Sequence, residues 1–123
     1  MKKLQLLLLF IGGISFAATS QVKRTGGLET ATIKTPTVQC EECKKRIENY
    51  VSREQGVQKV VVDYKKKITK VTYVVDRTSV ENVKAAIANI GYDADDVAAE
   101  PDAYKRLPKC CKKPEDGGGH EKH

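Results

Sequence analysis

From Glu29 to Thr35 the chain alternates, with Ala31, Ile33 and Thr35 on one side and polar residues on the other. That is the period of a half-buried strand. Pro36 ends it, because proline has no N–H to give to a sheet ladder. Cys40 to Gln55 contains neither proline nor glycine, and Cys43, Ile47, Tyr50 and Val51 recur on one face at helical spacing. Gly56 supplies the stop. Val57 to Tyr64 is rich in β-branched residues, with Val60, Val62 and Tyr64 on one side and Val61 and Asp63 on the other. Lys65 to Lys67 make a polar turn, and Ile68 to Val75 read as the second arm of a β-hairpin.

Thr78-Ser79-Val80-Glu81 has the form of a capping box with Thr78 at the N-cap and Glu81 at N3. Behind it Val80, Val83, Ala86, Ile87 and Ile90 share a face, and Gly91 closes the helix. Asp93 to Pro101 has room for one more short strand around Val97. The order is strand, helix, strand, strand, helix, strand. It predicts an α+β, ferredoxin-like βαββαβ fold, a four-stranded antiparallel sheet with two helices on one face. The expected core is Ile33, Ile47, Val51, Val57, Val60, Val62, Val71, Tyr73, Val83, Ile87 and Ile90.

The ends of the chain differ from this middle. Met1-Lys2-Lys3 is a short basic start, Leu4 to Phe16 is an apolar run, and small residues follow in SFAATSQ. This reads as a secretory signal peptide over residues 1–20, cut after a small residue near Ala17 or Ser20. The run is shorter than the ~20 residues a spanning helix needs. Export to a bacterial periplasm or beyond the cell is therefore expected. Residues 21–28 read as a flexible lead-in and 29–101 as the folded domain. Residues 102–123, YKRLPKCCKK followed by PEDGGGHEKH after a two-residue start, read as a flexible tail.

The 123 residues fit one domain with a modest core. The 22 Lys and Arg against 16 Asp and Glu give +6, spread along the chain with acids interleaved. With no Trp, and both Phe in the leader, the stacking platforms of a nucleic-acid binder are missing. The lysines at 44–45, 65–67 and 112–113 are either a docking face for an acidic partner or ordinary solvated surface.

The chemistry lies in four cysteines: Cys40, Cys43, Cys110 and Cys111. Thr35 to Arg46 reads TPTVQCEECKKR, placing Cys40 in the loop after the first strand and Cys43 near the start of the first helix. The spacing lets both sulfurs converge, and a helix N-terminus favours thiolate. Lys44, Lys45 and Arg46 add positive charge beside Glu41 and Glu42. A thiolate pair is soft and selects Cu(I), Zn(II) or similar ions. Two thiolates suit Cu(I) or Hg(II), whereas structural zinc wants four ligands.

Cys110-Cys111 offers either two more thiolates, as a second site or an arm that completes the first, or a disulfide formed on export. His120 and His123 are imidazoles in a polar tail, read as solvated residues rather than ligands. Tyr92 is either a screen beside the metal loop or a cover for the end of the core, and the second reading is preferred.

VQCEEC after a strand, GVQKVVVDYKKKITKVTYVVD, and GYDA after the second helix together resemble a heavy-metal-associated (HMA) domain over residues 29–101. The resemblance implies a ferredoxin-like fold with Cys40 and Cys43 as metal ligands. It also implies a non-enzymatic protein that passes a soft ion, Cu(I) first and Hg(II) or Zn(II) otherwise, by ligand exchange. The receiving partner would be a metal-transporting membrane protein or another metal-binding domain. Val38 stands where the family usually has Met, Gln39 where it has Thr or His, and Thr37 where it has Gly. Two other readings use the same cysteines: a thiol–disulfide oxidoreductase, and an interaction module that keeps them as bridges.

Overall fold

A computed structural model describes residues 27–118. The signal peptide expected over 1–20, His120 and His123 lie outside the described residues. Three strands form one antiparallel sheet: β1 (Leu28–Lys34), β2 (Val57–Asp63) and β3 (Ile68–Val74), in the order β1-β3-β2. Leu28 pairs with Val74 and Lys34 with Ile68, so β1 runs the full length of β3. β1 takes in Leu28, a residue read from sequence as lead-in, because β3 offers it a partner.

β2 pairs with β3 through Val57–Tyr73 and Val60–Val71, with a register shift between Val57 and Lys59. The shift inserts a residue and flips the parity of the strand. Val57 and Val62 therefore face the same side despite their odd spacing, and both are buried. Asp63 fixes the hairpin turn, its carboxylate accepting from the backbone N–H of Lys65 (3.1 Å) and Lys66 (3.0 Å).

One face of the sheet carries α1 (Glu41–Val51) and α2 (Val80–Asn89). α1 buries Cys43, Ile47 and Val51; α2 buries Val83, Ala86, Ile87 and Ala88. Tyr50, expected on the inner face of α1, is 41 % exposed. Nine of the eleven expected core residues are buried, while Val60 and Ile90 are half-buried and pack against that core. Ser79, not Thr78, caps α2, its hydroxyl accepting from Asn82 N–H at 3.2 Å. Thr78 is still held by the preceding turn through its N–H to the Val74 carbonyl (3.1 Å), so the cap moves on by one residue.

The fourth strand does not form among the described residues. The chain meets the free edge of β1 at a single residue. Asp95 N–H donates to the Lys34 carbonyl (2.8 Å), and Lys34 N–H donates to the Asp95 carboxylate (2.7 Å). Asp95 is left-handed at φ 51, and Ala94 and Val97 close a tight turn that carries the chain away. One aspartate thus satisfies and ends the edge that a strand would have extended.

Residues 101–118 are not a loose tail. Pro101–Lys105 form a short helix α3, capped by the Glu100 carboxylate on Ala103 N–H (2.7 Å). Two 3₁₀ turns follow at Lys109–Cys111 and Pro114–Asp116. Ala103, Leu107 and Cys111 are buried. Tyr104 ties the segment together: its hydroxyl donates to Asp116 (2.5 Å) and accepts from Lys113 N–H (2.8 Å), and the Lys113 ammonium lies 5.5 Å from its ring centre. Polar residues outside and a few apolar ones inside are enough here, because the surface to pack against already exists. No helix among the described residues is long and apolar enough to cross a membrane.

Candidate metal centre

β1 ends at Lys34, and the loop 35–39 is built from its own backbone. Val38 N–H donates to the Thr35 carbonyl (3.2 Å), and the Gln39 side-chain amide donates to the Thr37 carbonyl (3.0 Å). The Thr37 hydroxyl accepts from Asp93 N–H (3.1 Å), joining the loop to the segment after α2. Val38 is fully buried beneath the loop, and the Lys67 ammonium donates to its carbonyl.

Cys40 is the N-cap of α1, with extended backbone and no side-chain cap bond. Cys43 is on the first turn. Their sulfurs are 3.6 Å apart and both side chains are buried. Glu41 and Glu42 between them are exposed, at the start of α1 where negative charge complements the helix dipole. Their role here is helical, and Glu42 also pairs with Arg46 at 3.7 Å.

The 3₁₀ turn at Lys109–Cys111 packs on α1 and delivers the second cysteine pair to the first. The Cys40 thiol donates to the Cys110 carbonyl at 3.6 Å. The Cys110 and Cys111 sulfurs are 3.9 Å apart, and the sulfurs of Cys40, Cys110 and Cys111 lie within 4.8 Å of one another. Cys43 joins the group through Cys40, and Cys111 acts on it electrostatically. Among the described residues all four cysteines are free thiols.

The electrostatics follow from these neighbours. The Cys111 hydrogen bond is the main reason that Cys43 is drawn down from 9.0 to about 5, helped by backbone N–H groups and Tyr92 against the cost of burial. Cys111 moves up, because Cys43 holds its proton in place and burial adds to the effect. Burial raises Cys40. The charge of Lys44, the first basic residue after Cys43, is engaged away from the sulfurs. Lys44 pairs with Glu48 at 2.5 Å and reaches the Val62 carbonyl at 3.3 Å.

Tyr92 is fully buried, and its hydroxyl has no hydrogen-bond partner of good geometry. Burial is the main reason that its proton is held firmly, and the sulfurs of Cys111 and Cys43 add to the effect. Tyr92 therefore covers the core end, the preferred reading, and lies beside the Cys43 and Cys111 thiols.

Three thiols, Cys40, Cys110 and Cys111, converge at the helix start with Cys43 beside Cys40, a set of soft donors with no carboxylate among them. Residues 32–93 match the family model of the heavy-metal-associated domain. The chain belongs to that family. The HMA chain is 28 % identical over 92 residues to the mercuric transport protein periplasmic component of Shewanella putrefaciens, covering 75 % of this chain and 93 % of that one. It is 37 % identical over 54 residues to the copper chaperone CopZ of Staphylococcus haemolyticus (strain JCSC1435), covering 44 % and 79 %. Oxidised MerP from Ralstonia metallidurans CH34 superposes with a TM-score of 0.54 at 29 % identity, over 56 % of this chain and 96 % of that one. Both relatives are named for handling metal, one as a chaperone and one as a transport component. The family match ends at residue 93, so Cys110 and Cys111 lie beyond it.

Proposed function

We propose that the protein is an exported carrier that captures a soft metal ion on Cys40 and Cys43 and passes it to a partner. The observation that carries this is the pair of sulfurs 3.6 Å apart at the start of α1, in a chain of the HMA family. Cu(I) is the first choice of ion, with Hg(II) and Zn(II) as the alternatives. The names of the relatives, a copper chaperone and a mercuric transport protein, support the first two. Cys110 and Cys111 are the further candidate ligands. The partner is a metal-transporting membrane protein or another metal-binding domain, reached by ligand exchange. Export is supported by the basic-then-apolar start of the sequence and by the likeness to a periplasmic component.

The oxidoreductase reading has one point in its favour, the acidity of Cys43. Burial of both C-x-x-C thiols counts against it, because attack on a protein disulfide needs an accessible thiolate. Competition with a Cu(I)-specific chelator tests the carrier reading. Reduced wild type should take up one Cu(I) per chain, and the Cys40→Ser/Cys43→Ser double variant should lose that uptake. Equal affinity in the two proteins would reject the reading.

A further inference from the structure

We infer that the Cys110-Cys111 turn is a built-in cap that makes the site a four-thiolate centre. Such a centre takes a d10 ion in three- or four-fold sulfur coordination rather than a two-coordinate one. The inference rests on the carrier reading and specifies its coordination. Three observations point to it.

The first is spacing. A linear ion between two thiolates holds its sulfurs about twice a ~2.3 Å metal–sulfur bond apart, whereas a tetrahedron with the same bond has sulfur edges of about 3.8 Å. The observed 3.6 Å between Cys40 and Cys43 and 3.9 Å between Cys110 and Cys111 are near the tetrahedral edge. The cross-contacts agree: the Cys40, Cys110 and Cys111 sulfurs are within 4.8 Å of one another, and Cys43 adjoins them through Cys40.

The second is how the turn is held. Cys111 N–H donates to the Pro108 carbonyl (2.8 Å), Leu107 is buried beneath it, and Tyr104 ties the chain on either side through Lys113 and Asp116. The vicinal pair is therefore presented by a fixed element, which lowers the ordering entropy that a free arm would lose on binding an ion.

The third is access. Cys40, Cys43 and Cys111 are all buried, and only Cys110 is half-exposed. An incoming thiolate meets Cys110 first. Transfer to a partner then requires the turn to lift, or requires exchange to begin at Cys110.

Cd(II), a d10 ion that prefers four thiolates, is the probe. X-ray absorption of the Cd(II)-loaded full chain should count four sulfurs, and the thiolate charge-transfer band should fall to about half in Cys110→Ser/Cys111→Ser. Affinity against a chelator should fall roughly 10–100-fold or more in that variant. Release of Cu(I) to a chelator should be faster. Cys110→Ser alone, at a half-exposed position where folding is not at stake, should count three sulfurs. Two sulfurs in the wild type, with affinity and release unchanged in both serine variants, overturns the inference and leaves the carrier reading standing. Failure of the wild type to take up either Cu(I) or Cd(II) overturns both.

Discussion

The thiol of Cys40 lies 3.6 Å from the carbonyl of Cys110, seventy residues further along the chain. That contact joins the cap of the first helix to a turn at the far end of the sequence. It makes the chemistry of the site depend on how the C-terminal segment is packed.

Gly91 is where that packing is decided. It has φ 104, and a Cβ there would come within 3.0–3.1 Å of the Ala103 and Tyr104 backbone. Gly91→Ala should cost about 1–3 kcal/mol in urea unfolding and loosen α3 in particular. Hydrogen exchange should show lost protection over residues 101–111 before the sheet is affected. Unchanged protection there would disprove the role given to this glycine.

Tyr92 carries a buried hydroxyl without a good partner. An unsatisfied buried polar group costs about 1–3 kcal/mol. Tyr92→Phe should therefore leave the reduced, metal-free protein as stable as before or more so. A loss of stability in urea would mean that the thiols hold this hydroxyl more strongly than the geometry allows.

Glu48 links α1 to β2. It accepts from Val62 N–H at 2.9 Å and pairs with Lys44. Glu48→Ala should cost about 1–3 kcal/mol, since it leaves the partly buried Val62 N–H without its acceptor. Lys44→Ala should cost less than about 1 kcal/mol, as partly exposed pairs do. It should also leave the acidity of Cys43 where it was. A clear rise in that acidity constant, followed by thiol alkylation rate against pH, would restore Lys44 to the role first suggested by the sequence.

The thiols also set a pH dependence. Cys43 lies at about 5 in the folded protein against an ordinary 9.0. Between those values the unfolded chain binds the extra proton, so stability from this group is complete above about pH 9 and is lost as pH falls toward about 5. Cys111 moves the other way and contributes below its ordinary 9.0, with loss at higher pH. Reduced metal-free protein should thus gain stability from about pH 5 toward pH 9 and lose it beyond. Cys43→Ser should flatten both slopes in urea titrations. An unchanged profile in that variant would show that other groups set it.

Much of this was legible in the sequence. Strand and helix periods placed the hairpin, both helices and most of the core, because each element buries one face and its residues repeat accordingly. The C-x-x-C could be placed at a helix start for the same reason. The tail was misread because Leu107, Ala103 and Cys111 are too few to show a period. Their burial depends on a surface built by α1 and α2 and on the close approach allowed at Gly91. The missing strand was likewise a matter of one side chain, Asp95, whose hydrogen bond to Lys34 closes an edge that the β-branched Val97 alone could not extend.

By itself, then, the sequence determined the three strands β1, β2 and β3, the helices α1 and α2 and the closeness of Cys40 to Cys43, since these follow from local periodicity and from spacing along a few residues. It supplied Cys110 and Cys111 as chemistry without a place. Only the tertiary structure decided that they meet the first pair, because that meeting depends on α3 packing behind Gly91 and on Tyr104 holding the turns, contacts between residues far apart in the chain.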